Sequence, residues 1–169
     1  MTYELALFDL DDTLAPSKSK VHPEIVDMIV ALTRVAQVGI ISGGRFEQFD
    51  AQLLTSIYDA DALARLHVLP TCGTRYLVHD GAAWAEVYSE PLTDDESARA
   101  AAAVEKSARE LGLWEESTWG DRIELRGSQV TFSALCQEAP VDAKAAWDPD
   151  GSKEEKLRAA GAEQLPDLE

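Results

Sequence analysis

The chain has 169 residues and a formal net charge of -16. That length supports one hydrophobic core, or a small domain with part of another. The charge, with no Lys/Arg cluster to track a phosphate backbone, excludes nucleic acid and anionic membrane surfaces as expected partners. No apolar stretch approaches the roughly 20 residues of a membrane span, and Met1 to Glu4 carries no basic region ahead of the first apolar run. Cys72 and Cys136 are too few for a disulfide framework and lack Cys-x-x-Cys spacing, so the expected setting is a reducing cytoplasm.

The first element is the run Leu5-Ala-Leu-Phe-Asp-Leu-Asp-Asp-Thr-Leu14. Its uninterrupted apolar start predicts a parallel strand buried on both faces. Asp9 and Asp11 lie two residues apart, so on an extended chain they share a side. Paired carboxylates at the carboxyl end of a strand, where open α/β sheets bind ligands, repel unless a cation or shared proton relieves them, and Mg²⁺ suits oxygen ligands. A loop with Lys18 and Lys20 follows. Pro23 opens a helix whose apolar residues Ile25, Met28, Ile29, Leu32 and Val35 recur at helical steps. Val38-Gly-Ile-Ile41 reads as a second buried strand, giving a right-handed parallel crossover, and it ends at Ser42-Gly43-Gly44-Arg45. Phe46, Phe49, Leu53, Leu54 and Ile57 mark another amphipathic helix, and His67-Val-Leu-Pro70 a third short strand. Tyr76–Val78 and Trp84–Tyr88 flank Asp80-Gly81, a hairpin signal.

Composition shifts near Glu90-Pro91. Thr93 with Glu96 has capping-box spacing. Ala101, Val104, Ala108 and Leu111 form the expected buried stripe of the helix that follows, and Gly112 its stop. Arg122–Arg126 and Gln129–Ser133 alternate around Gly127-Ser128, a two-residue turn. That register pairs Leu125 with Val130 and Ile123 with Phe132 on a dry face, and Arg126 with Gln129, Glu124 with Thr131 and Arg122 with Ser133 on a polar one. Asp148 to Ala160 reads as a solvated helix ended by Gly161. His22, His67 and His79 lack metal-ligand spacing, which assigns them surface or turn roles.

Phe8-Asp-Leu-Asp-Asp-Thr-Leu14 resembles the first motif of the haloacid dehalogenase superfamily, Asp-x-Asp-x-Thr after an apolar strand. Ile40-Ile-Ser-Gly-Gly-Arg45 resembles its second motif. The helix and hairpin after Glu90 are similar to the α/β cap of its phosphomannomutase-like branch, and Ile123-Glu-Leu-Arg126 to a stretch of that cap which meets substrate phosphate. The resemblance implies an α/β fold: a Rossmann-like parallel-sheet core over residues 1–90, incomplete, and an α/β cap with an antiparallel hairpin over residues 91–169. It implies a phosphatase or phosphomutase acting on a small phosphorylated metabolite such as a sugar phosphate. Asp9 would attack phosphorus to form an aspartyl-phosphate, and Asp11 would act as acid and base. Asp9, with Asp11 through its main-chain carbonyl, would hold Mg²⁺; Ser42 and Gly43 would hold the phosphoryl oxygens, with Thr13 tying down the loop. Arg126, Arg122 and Lys144 are the candidate cap contacts. Gln137 and Lys144 fall where the phosphomannomutase pattern has arginines, which favours a phosphatase over a mutase. The lysine and further acidic motif expected after the cap are missing, which points to a shortened copy with weak turnover, millimolar Mg²⁺ affinity and open sheet edges that self-associate. Two other classes are weighed. A non-catalytic binding or dimerising module would explain the missing motifs. A signalling receiver would need an acid at the end of the third strand, where Leu69-Pro-Thr-Cys-Gly73 has none.

Overall fold

A computed structural model describes residues 4–136 and 138–168. The chain divides into two compact units, Met1–Glu90 and Pro91–Glu169.

In the first unit β1 (Leu5–Asp9), β2 (Gln37–Ile41) and β3 (Leu66–Leu69) run parallel. The hairpin β4 (Arg75–His79) and β5 (Trp84–Ser89) adds to β3 antiparallel, giving one sheet in the order β1-β2-β3-β4-β5. Helix α1 (Pro23–Thr33) links β1 to β2. Helix α2 (Phe46–Gln52), a 3₁₀ turn at Leu54–Ser56 and the short α3 (Ala60–Leu63) link β2 to β3. The chain tightens after Gln52, so the long helix expected through Ile57 is broken in two. The start of α1 is set by His22, whose Nδ1 accepts from the Glu24 amide at 3.4 Å, and by Pro23 in the first turn. Parallel crossovers of the usual right-handed kind, taken in succession between neighbouring strands, put their helices on the same face of the sheet. Val38, Ile40, Leu66 and Val68 accordingly bury against Val26, Ile29, Phe49, Leu53 and Leu54.

The opposite face is open, which corrects the expectation that β1 is buried on both sides. The register aligns Leu7, Gly39, His67 and Val78 across this face, with Leu5 beside Gln37. Leu5 and Leu7 are 54% and 55% exposed. Gly39 explains how Leu7 lies: a Cβ on it would come within 2.6 Å of Leu7 Cδ1, so the leucine reclines over β2 where no side chain stands. His67 bridges this face, one ring nitrogen 2.6 Å from the Tyr76 hydroxyl and the other 3.2 Å from Gln37 Oε1. Burial holds its pKa below the ordinary 6.5. The loop between β4 and β5 is wider than a two-residue turn: Asp80 Oδ1 accepts from the amides of Ala82 and Ala83 at 2.8 and 2.9 Å.

In the second unit α4 (Asp94–Glu110) starts on the expected capping box of Thr93 and Glu96. Its buried residues are Ala100, Ala103, Ser107 and Ala108; of the expected stripe Ala108 is buried, Ala101 and Val104 are half-buried and Leu111 is exposed. Strands β6 (Ile123–Leu125) and β7 (Val130–Phe132) pair as the alternation dictates, Ile123 with Phe132, Glu124 with Thr131 and Leu125 with Val130. The dry face is less dry than expected, because Leu125 is 54% exposed. Helix α5 (Val141–Trp147) follows, and α6 (Ser152–Gln164) packs along α4. Gly161 does not end that last helix: it is buried within it, with Leu157 on the same face. Ala108, Leu113 and Leu157 form the small core, flanked by Trp114, Phe132 and Trp147. Arg109 and Arg122 stack on the Trp114 ring at 4.3 and 4.6 Å from its centre. No helix of the described residues is long and apolar enough to cross a membrane.

Candidate functional site

Three loops meet at the carboxyl ends of β1, β2 and β3. Asp9 closes β1 with an exposed side chain, and the Thr13 hydroxyl donates to its Oδ2 at 3.2 Å. The loop beyond β1 turns sharply: Asp12 sits at φ 59°, its amide donates to the Ala15 carbonyl at 2.7 Å, and its Oδ1 accepts from the Ser17 amide. Ser42, just past β2, is buried. Its main-chain carbonyl accepts from the Cys72 amide and its Oγ from the Gly44 amide at 3.1 Å, so the β3 loop braces the β2 loop. Gly43 lies at the same junction, where a Cβ would stand 3.6 Å from Cys72 Sγ. Thr71 and Cys72, at φ 50° and 57°, hold this brace in a backbone region that ordinary residues rarely adopt.

The two acids have separate surroundings. Asp11 Oδ2 accepts from Ser42 Oγ at 3.1 Å and from Gln48 Nε2 at 2.8 Å. Its Oδ1 accepts from the Lys18 amide at 3.0 Å and from Gln52 Nε2 at 3.3 Å. Four donors fill the roughly four lone-pair directions of a carboxylate. The Asp11 side chain is therefore engaged, and its part in holding a cation would fall to its main-chain carbonyl. Gln48 and Gln52 were not foreseen from the sequence. The available signal was their four-residue spacing, which puts both amides on one face of α2.

The charge chemistry fits a single Mg²⁺, which takes one or two carboxylates and completes its shell with water and phosphate oxygens. Asp9 offers such a carboxylate. Among the described residues no group of three or more His, Cys, Asp or Glu side chains is placed to hold a metal ion.

The remaining candidates lie in the second unit. Arg126 pairs with Glu124, its Nε and Nη2 donating to Oε2 at 2.9 and 2.7 Å, with the arginine side chain 12% exposed. Arg122 donates to the Glu115 carbonyl. Lys144 lies on α5, and Gln137 falls outside the described residues. On the same polar sheet face, Arg122 Nε, Gln129 Oε1 and Thr131 Oγ1 are buried without a hydrogen-bond partner.

No family model matches this chain, and no curated protein matches it. Solved structures do. Plasmodium falciparum IMP-nucleotidase aligns over 96% of this chain and 42% of its own length, at 14% identity and TM-score 0.62. A haloacid dehalogenase-like hydrolase from Bacteroides thetaiotaomicron aligns over 87% of this chain and 49% of its own, at 15% identity and TM-score 0.50. The C-terminal domain of the Candida albicans trehalose synthase regulatory protein aligns over 98% and 49%, at 13% identity and TM-score 0.51. The chain thus spans less than half the length of each of these three. At such identities the likeness is one of fold: this chain shares the α/β fold of these three proteins.

Proposed function

We propose that this chain carries the phosphoryl-transfer site of a haloacid dehalogenase-type phosphatase acting on a small phosphorylated metabolite, in a reducing cytoplasmic setting. The observation that carries the reading is the division of labour between two acids on one strand end. Asp9 is exposed and held by one hydroxyl, whereas Asp11 is turned inward to Ser42 and α2. A nucleophile must reach substrate, and an acid–base group must be held at a fixed place beside it.

In this reading Asp9 Oδ attacks phosphorus, the bond to the leaving oxygen breaks, and that oxygen takes a proton from Asp11. Asp11 then takes a proton from water as it attacks the aspartyl-phosphate, and the phosphorus–Asp9 bond breaks to free phosphate and the carboxylate. Ser42 and the Gly43 loop hold the phosphoryl oxygens. Asp9 and the main-chain carbonyl of Asp11 would hold Mg²⁺, which would neutralise charge on the transferring group. Within the second unit Arg126 is paired with Glu124.

Hydrolysis of sugar phosphates and an aryl phosphate, with and without Mg²⁺, tests the reading. Mg²⁺-dependent phosphate release that is abolished in Asp9→Asn supports it. Label from a phosphodonor on any residue other than Asp9 refutes it. A second reading, a regulatory module that keeps the fold without turnover, draws on the likeness to the Candida regulatory protein; absence of phosphate release from every ester would favour it. Self-association belongs to both readings, because β1 has a single neighbour in the sheet among the described residues. Light scattering should show a mass that rises with concentration.

A further inference from the structure

We propose that Gln48 and Gln52 act as a carboxamide clamp that fixes the Asp11 carboxylate for proton transfer, making them positioning residues of the site; this rests on the phosphatase reading above. Both donate to Asp11, one to each oxygen. They are also joined to each other, Gln48 Nε2 lying 3.4 Å from Gln52 Oε1. Gln52 is 3% exposed, a burial that a solvated helix surface does not impose.

A second observation points the same way. Gly44 has no side chain where the Gln48 carboxamide sits: a Cβ there would come within 2.6 Å of Gln48 Cδ. The loop after β2 thus leaves room for that amide, and the same Gly44 amide holds Ser42 Oγ. Ser42, Gly44, Gln48, Gln52 and Asp11 form one connected network.

The four partners of Asp11 are not equivalent. The Lys18 amide is fixed by backbone, and the two glutamines are fixed by helix α2 and by each other. Ser42 is different, because its hydroxyl proton swings about the Cβ–Oγ bond. When a phosphoryl oxygen arrives, that proton can re-aim from Asp11 Oδ2 to the phosphoryl group. This frees one lone pair of Asp11 to take a proton while Gln48, Gln52 and the Lys18 amide keep the carboxylate in place. The clamp lets Asp11 gain and lose a proton without turning away from the reacting atoms.

The test compares Gln48→Leu and Gln48→Glu with the unaltered chain, using phosphate release from the best substrate across a pH series. Loss of orientation of this kind costs up to about a hundredfold in rate. Both variants should lose about tenfold to a hundredfold in kcat near neutral pH, with KM within twofold. Gln48→Glu should regain activity relative to Gln48→Leu as pH falls, because the new carboxyl, once protonated, can again donate to Asp11. A ratio between the two variants that is flat with pH, or kcat for Gln48→Leu within twofold of the original, overturns the clamp. Absence of turnover in the unaltered chain would instead defeat the phosphatase reading, and the clamp is then judged by a double-mutant cycle. Asp11→Asn and Gln48→Leu should be coupled by at least fivefold in the folding constant, and additive effects would overturn it.

Discussion

Gly39→Ala isolates the open face of the first sheet. The new Cβ would stand 2.6 Å from Leu7 Cδ1, with Leu69 Cδ1 next at 3.8 Å. Leu7 is 55% exposed, so its terminal methyl has solvent to rotate into. Moving it costs at most about 0.5–1.5 kcal/mol if it leaves a preferred rotamer. Against this, glycine within a strand is worse than alanine by about 0.5–1 kcal/mol. The two nearly cancel, so the expected change lies within about 1 kcal/mol of zero. Were the face covered, the same methyl group would overpack a closed layer and cost about 1–3 kcal/mol. Urea unfolding followed by far-ultraviolet circular dichroism, at protein concentrations low enough to suppress association, reads the difference. Gly73→Ala is the contrast: Gly73 sits at φ 86° with Ile41 Cδ1 3.4 Å from its built Cβ, and alanine there should clearly destabilise. A Gly39→Ala loss as large as that of Gly73→Ala would refute the open face.

Asp9→Asn should leave the fold intact and abolish phosphate release, because a carboxamide does not attack phosphorus; retained turnover in the purified variant removes Asp9 as nucleophile. Arg126→Ala should destabilise the second unit by about 1–3 kcal/mol, since Glu124 loses a partner that makes two hydrogen bonds to it, and a midpoint unchanged in urea would show the pair to be idle. If Arg126 also meets substrate, its alanine variant raises KM more than it lowers kcat. His67 sets an acid limit. Its folded pKa lies below the ordinary 6.5, so the unfolded chain binds a proton first and stability falls as pH drops below that value, down through the folded pKa. His67→Gln should flatten that part of the stability–pH curve, and an unaltered slope would assign the acid sensitivity elsewhere.

What the sequence made readable was pattern with a short period. The hairpin of β6 and β7 followed from strict alternation about Gly127, because each slip by one residue would invert both faces. The capping box was readable because Thr93 and Glu96 satisfy each other locally. β1 was misjudged for a different reason. Four apolar residues signal a strand, but the number of layers packed on it depends on where later helices cross, and both crossovers here choose one face. The buried stripe of α4 was read correctly only at Ala108, because a run of alanines gives little contrast around the helix. Gly161 signals a helix end, yet α6 runs on through it to Gln164, because a glycine inside a helix costs only about 1 kcal/mol against alanine. At the candidate site, the motif strings pointed to Asp9, Asp11 and Ser42, whose loops the fold brings together. They did not point to Gln48 and Gln52, because glutamine on an amphipathic helix ordinarily faces water.

The edge position of β1 should also be visible in the exchange of its amide protons with solvent. Two bonds fix the phase of the ladder: the Gln37 amide donates to the Glu4 carbonyl at 2.8 Å and the Leu10 amide to the Ile41 carbonyl at 3.1 Å. In a parallel ladder, successive amides of a strand point alternately to one side and the other. The amides of Ala6, Phe8 and Leu10 therefore point to β2, and those of Leu5, Leu7 and Asp9 point outward. The inward set should exchange slowly, near the rate set by opening of the sheet, and the outward set should exchange quickly. This two-residue rhythm belongs to a strand with one neighbour. A molecule that adds its own strand to this edge would erase the rhythm, slowing Leu5, Leu7 and Asp9 first. Exchange at these six amides thus reports, at single-bond resolution, whether anything has joined the sheet beside Asp9.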